Sequence, residues 1–207
     1  MKRKLNLFAI VLQVVNSLVW MHHYGIYHND LHINNVLLGL KPFNLIKKIN
    51  SKYNNNNFVF PLYLKVPDDL PQTTFEIYIT EQLYTLVWDF GRSITSQHMC
   101  RSLFIKEFLE QYNYFLKPSR ENLQRIEKNL LSNTSYNAYV GIYDVWRFLS
   151  TIDAKIKFKY DWLENLINVC HKKLTEDILN KPVPKYTTFK IYRKLMELYD
   201  KEKTNKK

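Results

Sequence analysis

Hydrophobic positions along the chain fall into blocks of different period. From Leu5 to Met21 the sequence is apolar apart from Asn6, Gln13, Asn16 and Ser17. Leu5, Phe8, Leu12, Val15 and Val19 share one helical face and Ile10, Val14 and Met21 populate another, so the spacing predicts a helix over residues 1–24, buried on most sides. At about 1.5 Å per residue its apolar part spans roughly 25 Å, the thickness of a small domain. Gly25, able to take the left-handed conformation, ends it. The pattern then shortens. Val36 to Leu38, Phe58 to Val66, Phe75 to Ile79 and Tyr84 to Trp88 read as strands, with Pro61, Pro67 and Pro71 as breaks. Between them Lys47-Lys48 and the run Asn54 to Asn57 read as an exposed loop, so an extended hairpin is expected as an insertion over about 39–82. A helical pattern returns at Leu103 to Phe115 and, past the turn at Pro118-Ser119, over Ser119 to Leu131, with Ser119 as N-cap and Asn122 in the first turn. Asp161 to Leu174 and Phe189 to Tyr199 are amphipathic helices separated by a loop at Pro182 and Pro184. Lys201 to Lys207 reads as a disordered basic tail. The fold class expected is α+β, mainly helical with a small β-hairpin region.

Composition narrows the picture moderately. With 207 residues and 46% hydrophobic side chains, the chain suffices for one domain burying roughly 70% of its unfolded surface. Cys100 and Cys170 have no framework spacing, which fits a reducing compartment, and both read as buried apolar residues. The formal charge of +11 is spread over scattered lysines, without a basic stripe interleaved with aromatics, so no specific nucleic-acid signal emerges. Lys2-Arg3-Lys4 before an apolar run also has the form of a signal peptide or short anchor. The polar interruptions and the lack of a small-x-small cleavage site argue against it, so no membrane association and a cytoplasmic location are expected.

Candidate chemistry sits in Tyr27-His28-Asn29-Asp30-Leu31-His32-Ile33-Asn34-Asn35-Val36-Leu37-Leu38. It contains H-x-D-L-x-x-x-N, formed by His28, Asp30, Leu31 and Asn35, followed by an apolar run. Further on, Val87-Trp88 precedes Asp89-Phe90-Gly91. Phosphoryl transfer asks a protein mainly to position groups and neutralise charge on the moving phosphoryl group. Asp30 would orient or accept the proton of an attacking hydroxyl. Asn35 and Asp89 would offer oxygen ligands to a hard cation such as Mg2+. The plainer reading is that these polar residues only build turns and caps.

These motifs, in this order, resemble the C-terminal lobe of a eukaryotic-type protein kinase, and the Asn- and Lys-rich style is similar to the Ser/Thr kinases of large DNA viruses. The buried first helix, the glycine before the loop and the strand after it match that lobe in succession. Tyr143-Asp144-Val145-Trp146-Arg147-Phe148-Leu149 resembles its D-x-W-x-x-G helix start, with Leu149 where glycine is usual. The resemblance implies that Asp144 accepts hydrogen bonds from the catalytic-loop backbone. It implies catalytic roles for Asp30, Asn35 and Asp89, metal binding by Asn35 and Asp89, and ATP contacts from His32, Asn35, Asp89 and Gly91. ATP-dependent phosphorylation of protein Ser/Thr follows as the expected activity, in a host cytoplasm or virion.

The departures have consequences. Asn29 stands where an arginine often pairs with a phosphorylated activation loop, and His32 stands where Ser/Thr kinases usually carry a lysine. No Ala-Pro-Glu follows Gly91, and Arg101 and Lys106, which a phosphate would suit, read as solvated helix charges. D-L-H in the loop also resembles aminoglycoside and choline kinases, while Asp89-Phe90-Gly91 favours the protein kinases. No Gly-rich loop or V-A-I-K lysine precedes Leu5, so the expected domain is a lone lobe over 1–200. It would be a catalytic half with its N-lobe absent, completed by an N-lobe or activating partner in trans, or a pseudokinase-type interaction module.

Overall fold

The axis of the structure, a computed structural model that describes residues 2–40, 60–71, 75–79, 83–183 and 187–204, is the first helix, α1 (Lys2–His23). Phe8, Ala9, Val11, Leu12, Val14, Val15, Leu18 and Val19 are all buried, which explains why the apolar pattern wraps almost the whole helix instead of one stripe. Phe8 stacks on Trp162 at 3.9 Å between ring centroids. No described helix is long and apolar enough to cross a membrane.

The polar interruptions of α1 are tethers. Gln13 Oε1 accepts a hydrogen bond from the backbone N–H of Thr85 at 3.0 Å. Asn16 Nδ2 and Trp20 Nε1 both donate to the carbonyl of Lys65, at 2.9 Å and 3.0 Å. Buried amides hold their place only when bonded, and here those bonds fix one of the two motif strands through Thr85 and the stretch between them through Lys65.

The strands form three two-stranded antiparallel pairs among the described residues. Strand β1 (Ile26–Tyr27) pairs with β6 (Ile94–Thr95), which sequence reading missed because two residues carry no period. Strand β2 (Val36–Leu40) pairs with β5 (Leu83–Val87), Val36 opposite Val87. The expected inserted hairpin is present as β3 (Phe60–Leu64) and β4 (Phe75–Ile79). Pro61, read as a break, instead sits within β3 opposite Tyr78. A two-stranded ribbon consists of edge strands, where a missing N–H is tolerated. The Lys47-Lys48 and Asn54 to Asn57 loop lies outside the described residues.

Among the described residues five further helices of twelve residues or more follow, α2 (Arg101–Leu116), α3 (Arg120–Ser132), α4 (Asn137–Lys155), α5 (Asp161–Lys172) and α6 (Thr187–Thr204), of which α4 and α6 make the main helical contacts with α1. The molecule is therefore α+β and mainly helical. Ser119 caps α3 as expected, its hydroxyl accepting from the N–H of Asn122 at 3.2 Å. α5 continues through a wide turn at Lys173–Asp177, whose Leu174 carbonyl accepts from the buried Tyr112 hydroxyl at 2.5 Å. Residues 205–207 lie outside the described residues, and the disordered tail expected from residue 201 is corrected for its first four residues, because α6 runs on to Thr204. No glycine or proline breaks it there, and lysines suit a helix C-terminus.

Two further expectations are corrected. Cys100 is exposed, at the N-cap of α2, whereas Cys170 is buried; a cysteine in a chain-reversal position has no core to enter. Arg101 is not a solvated charge, since its guanidinium donates to Asn137 Oδ1 at 3.1 Å and to the Leu130 carbonyl, tying α2 to α3 and to the first residue of α4. Lys106 is exposed, as read.

Candidate active site

The loop holding Asp30 starts from a glycine that the geometry requires. Gly25 has φ +70°, and a Cβ there would collide with Ser96 Oγ. The close approach lets Ser96 N–H donate to the Gly25 carbonyl at 2.9 Å, extending the β1–β6 pair. The side chain of Tyr27, on β1, packs edge-on against Phe104 at 5.7 Å, and burial pushes its hydroxyl up to about 12.

Beneath the loop lies Asp144, fully buried on α4. Its carboxylate accepts from the backbone N–H groups of His28 and Asn29, each at 2.8 Å, and pairs with His22 Nε2 at 3.0 Å. In the neutral His22 ring Nε2 donates to this carboxylate, and Nδ1 accepts from Thr188 Oγ1 at 2.8 Å. A continuous polar chain thus joins the start of α6 to the loop. Gly141 allows it, because a Cβ at that position would stand 2.7 Å from His22 Nδ1 and 3.0 Å from Thr188 Oγ1. Asn29 is buried in the left-handed region at φ 63°, a conformation asparagine tolerates better than most residues, and its Nδ2 donates to the Glu107 carbonyl at 3.2 Å.

Hydrogen bonds tie Asn35 to Asp30 on one side and to Trp88, the residue before Asp89, on the other. Asn35 Nδ2 donates to the Asp30 carbonyl at 3.0 Å, which directs the amide oxygen elsewhere. Trp88 N–H donates to the Asn35 carbonyl at 3.1 Å, extending the β2–β5 ladder by one pair and setting Asp89 one residue beyond Asn35's partner. His28 Nε2 lies 2.9 Å from the Trp88 carbonyl; a carbonyl only accepts, so this nitrogen carries the proton. Trp88 Nε1 donates to the Asn34 carbonyl at 3.0 Å. Asp89 is exposed, with φ 58°, and Phe90, next in sequence, lies 5.2 Å from the His28 ring. Gly91 adjoins the Asp89 carboxylate, 3.4 Å from the position a Cβ would take. His32 opens the short 3-10 turn Ile33–Asn35, its carbonyl accepting from Asn35 N–H at 2.9 Å.

Asp30 is partly exposed and faces a cleft of about 600 Å³ whose opposite wall is the end of α2, with Glu110, Asn113, Tyr114 and Phe115. Arg92 shares the cleft, its Nε 4.0 Å from Asp30 Oδ2. Beside the loop, Leu37, Leu86 and Trp88 share one face of the β2–β5 pair and, with Phe90 just beyond it, form an apolar strip, each about half exposed; Leu38 is exposed on the opposite face.

No family model, curated protein or solved structure matches the chain.

The donor set can be tested against a cation on geometry alone. Among the described residues no group of three or more His, Cys, Asp or Glu side chains could hold a metal. Asn35 Oδ1 and the Asp89 carboxylate would supply two hard oxygen ligands. That fits Mg2+, which keeps several waters and takes much of its shell from substrate phosphates, rather than an ion needing an all-protein cage. His22, Gly141, Thr188 and Arg92 carry parts of the site that sequence reading did not single out. His22 and Thr188 are 166 residues apart, so no local pattern announces them; Arg92, directly after Gly91, was within reach of a reading that asked which cation stands nearest the motif.

Proposed function

We propose that the chain carries the catalytic half of a divergent protein kinase, transferring the terminal phosphoryl group of ATP to a Ser or Thr hydroxyl. The observation behind this reading is the tied arrangement of Asp30, Asn35 and Asp89: one side-chain bond joins Asn35 to Asp30, one ladder bond joins Asn35 to Trp88, and Asp144 holds the loop from below. Capping residues alone would not need a fully buried carboxylate devoted to two loop amides and an imidazole.

In this reading Asp30 orients the acceptor hydroxyl and takes its proton. Asn35 and Asp89 hold Mg2+, which when bound supplies charge neutralisation for the nucleotide phosphates. His28, its Nε2 committed to the Trp88 carbonyl, holds the residues before Asp89 against the loop. His32 and Gly91 flank the phosphate position. The apolar strip from Leu37 to Phe90 is the face on which a purine and a covering lobe would rest, and that lobe, whether in the same polypeptide or from an activating partner, is part of the proposal.

A second reading, an interaction module without activity, draws on the same exposed strip, since contiguous apolar surface of this kind marks contact sites. One experiment separates the two. The full chain is incubated with magnesium and labelled ATP, with dephosphorylated casein as acceptor and with and without candidate covering partners. Transfer that falls about 10²–10⁴-fold in Asp30→Asn, with nucleotide binding lost in Asp89→Asn, supports the kinase reading. Nucleotide binding that is absent, or indifferent to Asp89→Asn, leaves the interaction module.

A further inference from the structure

Two charged side chains line the cleft with Asp30, Glu110 and Arg92. Glu110 is exposed on α2, and the guanidinium of Arg147, which stacks on the lining residue Phe115 at 3.6 Å from its ring centroid, is committed there. Arg92 is different. It ends the 3-10 turn Phe90–Arg92 that directly follows Asp89, and its Nε stands 4.0 Å from Asp30 Oδ2. One three-residue turn thus sets a fixed positive charge beside Asp30, three residues after Asp89.

The contact with Asp30 does not account for this placement. The Arg92 side chain is 58% exposed and the pair is at the limit of ion-pair distance, so it contributes little to stability, as exposed pairs generally do. A guanidinium held so loosely is free to exchange partners, and its planar fork matches two phosphate oxygens better than one distant carboxylate. His32, the nearest other basic side chain of the loop in sequence, carries an imidazole without a permanent charge.

We propose that Arg92 is the catalytic residue that neutralises the moving phosphoryl group. This rests on the kinase reading above and adds to it a group that reading does not contain. On nucleotide binding the guanidinium leaves Asp30 and engages the non-bridging oxygens of the terminal phosphate. The bond between phosphorus and the leaving nucleotide oxygen breaks, and a bond to the acceptor oxygen forms. The acceptor's proton passes to Asp30, now released from its pair, and Arg92 exchanges neither proton nor electron. In the resting state Arg92 therefore covers the base, and binding of the phosphate uncovers it.

The test compares affinity for ADP with affinity for ADP plus aluminium fluoride, a mimic of the phosphoryl group in flight, on the full chain with magnesium by calorimetry. Arg92→Gln is expected to bind ADP within about twofold of wild type and to lose roughly 10²-fold in affinity for the mimic, the range of a removed transition-state donor. Arg92→Lys should lose less, and His32→Lys placed in the Arg92→Gln chain should recover at least about tenfold, as returned charge would. Single-turnover transfer should follow the mimic. The proposal is overturned if Arg92→Gln keeps the wild-type ratio of the two affinities, or if both fall together. If wild type binds neither ligand, with or without the covering partners tested above, the kinase reading fails and this proposal with it. ADP binding that depends on Asp89 but a mimic indifferent to Arg92 would sink the proposal alone.

Discussion

Replacing Gly141 by alanine sets two opposed effects against each other at one atom. Gly141 lies inside α4, where alanine is the better helix former by roughly 0.8–1 kcal/mol. The added Cβ, however, would stand 2.7 Å from His22 Nδ1, 3.0 Å from Thr188 Oγ1 and 3.1 Å from His22 Cε1. Forcing a methyl into such a contact costs about 1–3 kcal/mol. If His22 yields by moving, the buried Asp144 loses a donor, and a hydrogen bond to a charged group contributes about 1.5–3 kcal/mol. Added together and less the propensity gain, these costs give a destabilisation of about 1.5–5 kcal/mol. For a domain of this length each kcal/mol lowers Tm by about 2–4 °C. Thermal and urea unfolding followed by circular dichroism read the change, and a double-mutant cycle with His22→Ala assigns it. With the imidazole gone the methyl has room, so the double variant should cost at least about 1 kcal/mol less than the two single costs added together. A Gly141→Ala protein as stable as wild type, or strict additivity with His22→Ala, would refute the tight packing of α4 on the His22–Thr188 contact.

Other expectations follow from the same atoms. Asp144→Asn offers one acceptor oxygen where His28 N–H and Asn29 N–H each bond a separate carboxylate oxygen. It should cost about 2–4 kcal/mol, and hydrogen exchange at those two amides should accelerate; unchanged exchange would count against the tie. The two cysteines should separate by reactivity. Burial pushes the Cys170 thiol up to about 12, while hydrogen bonds from the Ser102 hydroxyl and then the Leu103 backbone hold the exposed Cys100 thiol below its ordinary 9.0. Because the thiolate is the reactive form, native protein should lose one thiol to iodoacetamide at neutral pH, with a rate that rises with pH to a midpoint below 9.0. Mass spectrometry should place the label on Cys100, and alkylation of Cys170 should require unfolding.

Much of the helical framework was legible along the chain because its causes are local. The apolar block of α1, the Ser119 cap and the amphipathic pattern of α5 and α6 are set by neighbours three or four positions away, and the H-x-D-L-x-x-x-N loop and Asp89-Phe90-Gly91 are legible for the same reason. Short elements escaped. β1 and β6 exist only as each other's partner, and Pro61 lies within β3 because a two-stranded ribbon leaves its edge unclaimed. Gln13 and Asn16 looked like blemishes in an apolar helix until the fold brought Thr85 and Lys65 to them.

The sequence by itself determined which residues stand as candidates for phosphate and metal chemistry, and the order in which they come. Tertiary structure alone decided what holds them there. The Thr188–His22–Asp144 chain depends on contacts 166 and 122 residues apart, the need for glycine at 141 arises only where α4 meets α1 and α6, and Arg92 gains its meaning only once a turn of the chain sets it beside Asp30. Spacing records what neighbouring residues do to one another; partners brought together by burial leave no such record.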